Sequence, residues 1–333
     1  MKVNVRVLYN QISFILCASI LYSCTEFNVL TLSDHFEEER NLFAQKDSLN
    51  SIISPIFLKI KKNSLFISCN DVNSNMLYQY KIPELKCIDS TGTKGYGPDE
   101  FQLYPVFCNT QTDNLYIWGY TPFEIREFDI NNFKLQQKRR LFLEEYESFN
   151  QMHIIKDSIL IYSAIPDEFA IKKYDLINKK QLGKIKIKRD RHKETYFYKN
   201  RGWVAANDSC IIYAYVYKKQ IDIYSVNKLN LKSKIVSNIP KNDIVIGDIE
   251  NNVKHYINIV AGGKYFYALY MGFSRSNPKS YYTLEKYDYN GNPIAKYKLD
   301  IAPILFDIDE ENNYMYGYNF QHEDFIIKYN LSL

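Results

Sequence analysis

Carboxylates that could hold a hard cation are the first chemistry to look for in this chain. Asp99, Glu168 and Asp324 are the candidates, because Ca²⁺ is bound by several oxygen ligands brought in from loops. They come from three separate loops and share no repeated placement. His35, His153, His192, His255 and His322 include no HExxH and no pair at metal-ligand spacing. No GxSxG turn presents a serine nucleophile. Gly95-Tyr96-Gly97-Pro98 is a turn and not a phosphate cradle, since no helical pattern follows it. No catalytic residue and no resident cofactor is therefore assigned. Ca²⁺ belongs only to an alternative reading, a calcium-dependent hydrolase or lyase.

Aromatic and basic side chains are the second possibility. Residues 189–203 read RDRHKETYFYKNRGW, which fits either a solvated loop with a few anchoring aromatics or a binding lip where ring faces stack on sugars or apolar side chains and guanidinium groups hydrogen-bond acids. Tyr196 and Trp203 come from it. Tyr96, Tyr120, Tyr217, Arg275 and His322 are expected on the same face, on loops that precede first strands or join second strands to third.

The elements that must position these loops are strands. Five-residue runs recur after short polar or glycine-containing turns: SLFIS (64–68), NLYIW (114–118), SILIY (158–162), SCIIY (209–213), KYFYA (264–268) and NYMYG (313–317). A second set follows each: MLYQYK (76–81), EIREFD (124–129), AIKKYD (170–175), QIDIYS (220–225), TLEKYD (283–288) and FIIKYN (325–330). Its fifth position is always aromatic, at Tyr80, Phe128, Tyr174, Tyr224, Tyr287 and Tyr329, and polar and apolar residues alternate as in half-buried strands. Five repeats continue into a fourth strand, the last after the hairpin turn Asn290-Gly291. Repeats of about 40–50 residues with four strands each indicate propeller blades. The expected fold is all-β, a six-bladed β-propeller of four-stranded antiparallel blades over 46–333. The sixth repeat has no room for its outer strand, so a strand from residues 40–50 is expected to close the ring and remove an open edge.

Ahead of the repeats, Lys2 and Arg6 precede the apolar run ISFILCASILY (12–22), then Ser23 and Cys24. This is a signal peptide over 1–23, too short for a span of about 20 residues. Leu21-Tyr22-Ser23-Cys24 has the form of a lipobox with Cys24 as the acylated residue, followed by a tether over 24–45 in which a short helix around 33–44 fits. Removing the leader leaves 40 basic against 38 acidic residues, which gives no electrostatic case for nucleic acid. Cys69, Cys87, Cys108 and Cys210 lack metal or CxxC spacing and are expected as buried free thiols.

GYGPDEF (95–101), Leu103-Tyr104-Pro105, Asn114–Ile117 and Glu124–Asp129 together resemble an NHL-type blade. By its repeat pattern over 50–333 the chain resembles the TolB-like six-bladed propeller lipoproteins of Bacteroidetes-type bacteria. The resemblance implies a lipid-anchored, monomeric binding platform at the cell envelope for a protein, peptide or glycan partner, and carries over no catalytic residue. Within GYGPDEF, the glycines are expected to serve the backbone and Phe101 to plug the gap between blades. Two or three acyl chains at Cys24 hold a protein on a membrane, so Cys24→Ala should move it from the detergent phase to the aqueous phase in Triton X-114 partitioning.

Overall fold

The computed structural model describes residues 29–49, 55–70, 74–121, 123–131, 134–143, 148–165, 170–187, 199–237, 244–245, 247–322 and 325–332. Tyr196, Cys24, Glu168 and Asp324 lie outside them. The compact unit runs from Thr31 to Leu333. Among the described residues it is all β, with twenty-six strands and one short 3-10 turn.

The N-terminal stretch supplies β1 (Leu30–Leu32), β2 (Glu39–Leu42) and β3 (Gln45–Ser48). Next come β4 (Pro55–Lys61), β5 (Ser64–Cys69), β6 (Leu77–Lys81) and β7 (Lys86–Thr91), an antiparallel meander. Two further meanders follow: β8 (Val106–Thr110), β9 (Leu115–Thr121), β10 (Glu124–Asn131) and β11 (Lys134–Phe142), then β12 (Ser148–Ile155), β13 (Ile159–Ile165), β14 (Ala170–Asp175) and β15 (Lys180–Lys186). A short parallel pairing, Asn109 with His153 and Thr110 with Ile154, joins them into one eight-stranded sheet. β16 (Gly202–Ala206), β17 (Cys210–Tyr215), β18 (Gln220–Ser225) and β19 (Leu231–Val236) carry β1 at their outer edge. β20 (Lys254–Ala261), β21 (Tyr265–Phe273), β22 (Tyr282–Asp288) and β23 (Pro293–Leu299) carry β2. β24 (Leu305–Asp309), β25 (Tyr314–Tyr318) and β26 (Phe325–Asn330) take β3 as their fourth strand, with Phe325 opposite Ser48 and Lys328 opposite Gln45.

Burial explains the sequence patterns strand by strand. β5 and β17 are buried throughout and read as near-continuous apolar runs, SLFISC and CIIYAY, as strands covered on both faces do. The outer strands β7 and β11 are mostly exposed, and the charges of KLQQKRRLF discourage edge pairing with other chains. The six aligned aromatics are all buried. In five meanders the register shifts at that aromatic, between Gln79 and Tyr80, Glu127 and Phe128, Lys173 and Tyr174, Ile223 and Tyr224, and Lys286 and Tyr287. The outer strand carries one extra residue there, a bulge that sharpens the local twist.

The core is divided among the gaps between neighbouring sheets. One cluster joins Phe66 and Leu77 to Phe107, Ile117 and Phe128, with Phe101 fully buried between them. Another joins Leu65 and Ile67 of the first meander to Tyr316, Tyr318 and Ile326 of the last. Phe101 also fixes the loop before it: Gly92 has φ +77°, and a Cβ there would lie 2.1 Å from the ring.

Residues 33–44 are not helical. Glu39–Leu42 form β2, parallel to β23, and Lys296 and Lys298 reach Glu39 at 2.8 and 3.5 Å. Pairing with a free sheet edge outweighs the weak helical preference of this polar stretch. Asp34 lies 2.5 Å from Lys219, which also reaches the fully buried Glu285 at 3.2 Å, and Phe36 packs on Tyr287 with centroids 5.1 Å apart. Cys69, Cys108 and Cys210 are buried and form no disulfide among the described residues, but Cys87 is exposed because its outer strand is open to solvent. Phe101→Ala should cost about 3–5 kcal/mol, the range for deleting a buried ring, read as a lower urea midpoint at unchanged m-value.

Candidate functional site

The first strands of the meanders converge on a cavity of about 740 Å³. Its lining residues come from β4, β8, β12, β16, β20 and β24, with Trp118 from β9 and Leu103 and Tyr104 from the loop before β8. The wall is mostly aliphatic and aromatic. Phe57, Trp118 and Trp203 are half-buried and Tyr104 is exposed, so part of each of these lining residues stays accessible. Phe57 and Tyr104 stack with centroids 6.1 Å apart. Gly119 allows this placement: Leu103 N donates to Gly119 O at 2.9 Å, and a Cβ on Gly119 (φ +135°) would lie 2.8 Å from Tyr104 O.

Polar groups gather deeper. Lys59 and Asp307 form a buried ion pair at 3.0 Å, and Lys59 Nζ also donates to Asn109 Oδ1 at 2.9 Å. Ile60 N donates to Asp307 Oδ2 at 2.8 Å. A buried charge needs such partners, so the lysine and the aspartate neutralise one another. Gln151 Oε1 accepts from Val204 N at 2.7 Å, and Asn258 Nδ2 donates to Ile304 O at 3.2 Å. Beyond this layer Lys61 Nζ donates to Thr110 O and Thr112 O at 2.7 and 2.6 Å, and burial followed by the charge of Lys59 pushes its ammonium down to about 7. Gln111 Nε2 donates to Ala261 O at 3.3 Å. This contact joins the β8–β9 turn to the end of β20, just beyond Asn109 and Val260, the last lining residues of those two strands, and marks the far end of the cavity as a stopper.

The residues singled out from sequence scatter around this site. Trp203 lines the cavity, and its Nε1 is buried with no hydrogen-bond partner among the described residues. Tyr120 is not on an open face: it is buried 4.3 Å from Phe101, with the Arg126 guanidinium 3.6 Å from its ring centroid. Tyr217 is also buried, which pushes its hydroxyl up against the opposing charges of Arg201 and Arg275. Tyr96 is 88% exposed, Arg275 is an exposed partner of Glu250 at 3.4 Å, and His322 is half-buried in the 3-10 turn Phe320–His322. Asp99 lines a separate cavity of about 320 Å³ with Asp89, Tyr120 and Arg126. Among the described residues no three His, Cys, Asp or Glu side chains gather at metal-binding range.

Phe57, Tyr104, Trp118, Asn109, Gln151, Lys59 and Asp307 escaped the sequence reading. Their signal was a polar residue inside each of several first strands, as in PIFLKIK, VFCNT and LFDID. Those strands carry a weaker repeat than the second and third strands.

No protein-family model matches this chain, and no curated protein matches it by sequence. Solved structures do match it. A candidate exported protein of Bacteroides fragilis aligns at a TM-score of 0.56 with 12% identity, over 91% of this chain and 99% of its own. The WD40 repeats of RRP9 align at 0.53 with 6% identity, over 87% of this chain and 97% of theirs. At such identities the likeness speaks for the fold alone, which is of the propeller type.

Two buried imidazoles give the molecule a pH dependence. His153 Nε2 lies 3.0 Å from Val204 O, beside the cavity wall, and desolvation followed by the charge of Lys59 pushes it down to about 4. Desolvation, then Lys219, pushes His255 down to about 4 as well. The unfolded chain, with histidines near 6.5, binds more protons in this interval, so stability is full above about 6.5 and is lost as pH falls toward 4. Each full shift amounts to at most about 3 kcal/mol. Urea midpoints should decline from pH 6.5 to 5, above the carboxylate range, and the decline should shrink in His153→Gln and again in the His153→Gln/His255→Gln double variant.

Proposed function

We propose that this chain is an exported, lipid-anchored binding module that presents its central cavity to a protein, peptide or glycan partner at the cell envelope, without catalysing a reaction. The observation that carries this reading is the cavity itself. Its volume falls in the range of about 300–1,000 Å³ typical of ligand sites. Its wall combines rings, amides and one neutralised ion pair, and its described lining residues include no thiol, no imidazole and no serine or threonine. A thiol or aliphatic hydroxyl nucleophile activated by an imidazole has no side chains to act through among them.

The finer assignments belong to the same proposal. A six-bladed ring is supported by the division of the eight-stranded sheet into two meanders with one parallel junction, and by the packing of the first meander against the last. Closure rests on β3 completing the sheet of β24–β26. Membership of the TolB-like, NHL-like lipoproteins rests on the blade motif around GYGPDEF, and attachment at Cys24 on the lipobox form. Export is further supported by the candidate exported protein that shares the fold. The molecule acts as a monomer in this reading.

Crosslinking in the native envelope tests the function. The wild-type chain should yield a defined adduct or bound ligand, and the Tyr104→Ala/Trp203→Ala variant should lose at least about 90% of it while remaining folded by circular dichroism. Retention of the same species by the double variant would move the binding surface away from the cavity.

A further inference from the structure

We infer that the cavity takes the terminal sugar of a neutral glycan, bound end-on. The inference rests on the cavity being the binding site and adds the class of ligand and the direction of entry.

The chemistry of the deep layer selects the ligand. Asp307 Oδ1 has no protein partner among the described residues, since Lys59 and Ile60 N both meet Oδ2. The Asn109 and Gln151 carboxamides each use their oxygen on the protein, on Lys59 Nζ and Val204 N. Their NH₂ groups have no protein partner among the described residues. The layer thus offers one carboxylate acceptor and two amide donors to the same cavity. A hydroxyl is the complement of that pair, because it donates and accepts through one oxygen. A sugar ring carries several hydroxyls around an apolar C–H face. The half-buried rings of Phe57, Trp118 and Trp203 and the exposed ring of Tyr104 supply flat apolar surfaces for that face.

Charge narrows the class further. Asp307 is the one charged residue among those lining the cavity, and Lys59 already neutralises it. A phosphate, a uronic acid or a free peptide terminus would bring a charge with no opposite charge left to meet it, at a cost in desolvation. A neutral polyol brings none. The direction of entry follows from the stopper: the Gln111–Ala261 hydrogen bond crosses beyond the far end, in the path of a chain passing through, so what enters is an end.

The chain reports on this site directly, because its only two tryptophans, Trp118 and Trp203, both line the cavity. The probes are linear maltohexaose, cellohexaose, xylohexaose, mannohexaose and N-acetylchitohexaose, titrated into the wild-type protein while tryptophan emission is followed. At least one should give a saturable change. Tyr104→Ala, which removes an exposed side chain and leaves the core intact, should weaken it about three- to tenfold, the scale of one aromatic contact. The trisaccharide of the same sugar should bind within about threefold of the hexasaccharide. A cyclic oligosaccharide, which has no end, should give no response.

Saturable binding of a cyclic glucan as tight as that of maltohexaose overturns the end-on geometry. A response to a library of neutral apolar hexapeptides and to none of the sugars overturns the glycan class and leaves the binding module standing. No response to either set overturns the cavity as the binding site.

Discussion

Apolar burial between neighbouring sheets is the constraint on which the rest of this structure depends. A single four-stranded meander here is apolar on both faces, as β5 and β17 show by being buried along their whole length. Such a sheet has no stable existence in water alone. Each core cluster accordingly draws its members from two successive meanders, and one from the first and the last. An aromatic ring buried in such a gap removes about 150–250 Å² from water, worth about 4–6 kcal/mol at 25 cal/mol per Å². That is of the order of the whole net stability of a domain, which is why the repeat retains an aromatic at its fifth position. The bulge at that same residue supplies the twist that lets one sheet sit against the next.

Packing sheets around a centre leaves their first strands facing one another. The innermost side chains then have two fates: they fill the middle or they line a hole. Near the stopper they fill it, with Lys59, Lys61 and the Gln111 crossing. Toward the opening they leave about 740 Å³ walled by rings. The cavity is therefore a consequence of the same geometry that buries the cores. Its chemistry is set by side chains at positions where the fold itself makes little demand.

The N-terminal stretch has a related role. β1, β2 and β3 run along the outer edges of three sheets, satisfying backbone groups that an open edge would leave to solvent or to another chain. Asp34 and Phe36 anchor it from within, through Lys219 and the aromatic core around Tyr287.

The strands and their order were legible in the sequence because the signals for them are local. Alternation over five or six residues and a two-residue polar turn depend on nothing distant. The third strands at 170–175, 220–225 and 325–330 fall where the pattern places them. GYGPDEF was legible for the same reason: two glycines and a phenylalanine need only a tight turn and one gap to fill. What only the tertiary structure decided involves residues far apart in the chain. Asp307 meets Lys59 across 248 positions, and β2 exchanges an expected helix for the edge of β23. Tyr120 and Tyr217, which a loop reading leaves open to solvent, are buried by neighbours no local pattern announces. The cavity belongs wholly to this second class, since several strands contribute one or two side chains each and no single stretch of sequence contains enough of it to be recognised.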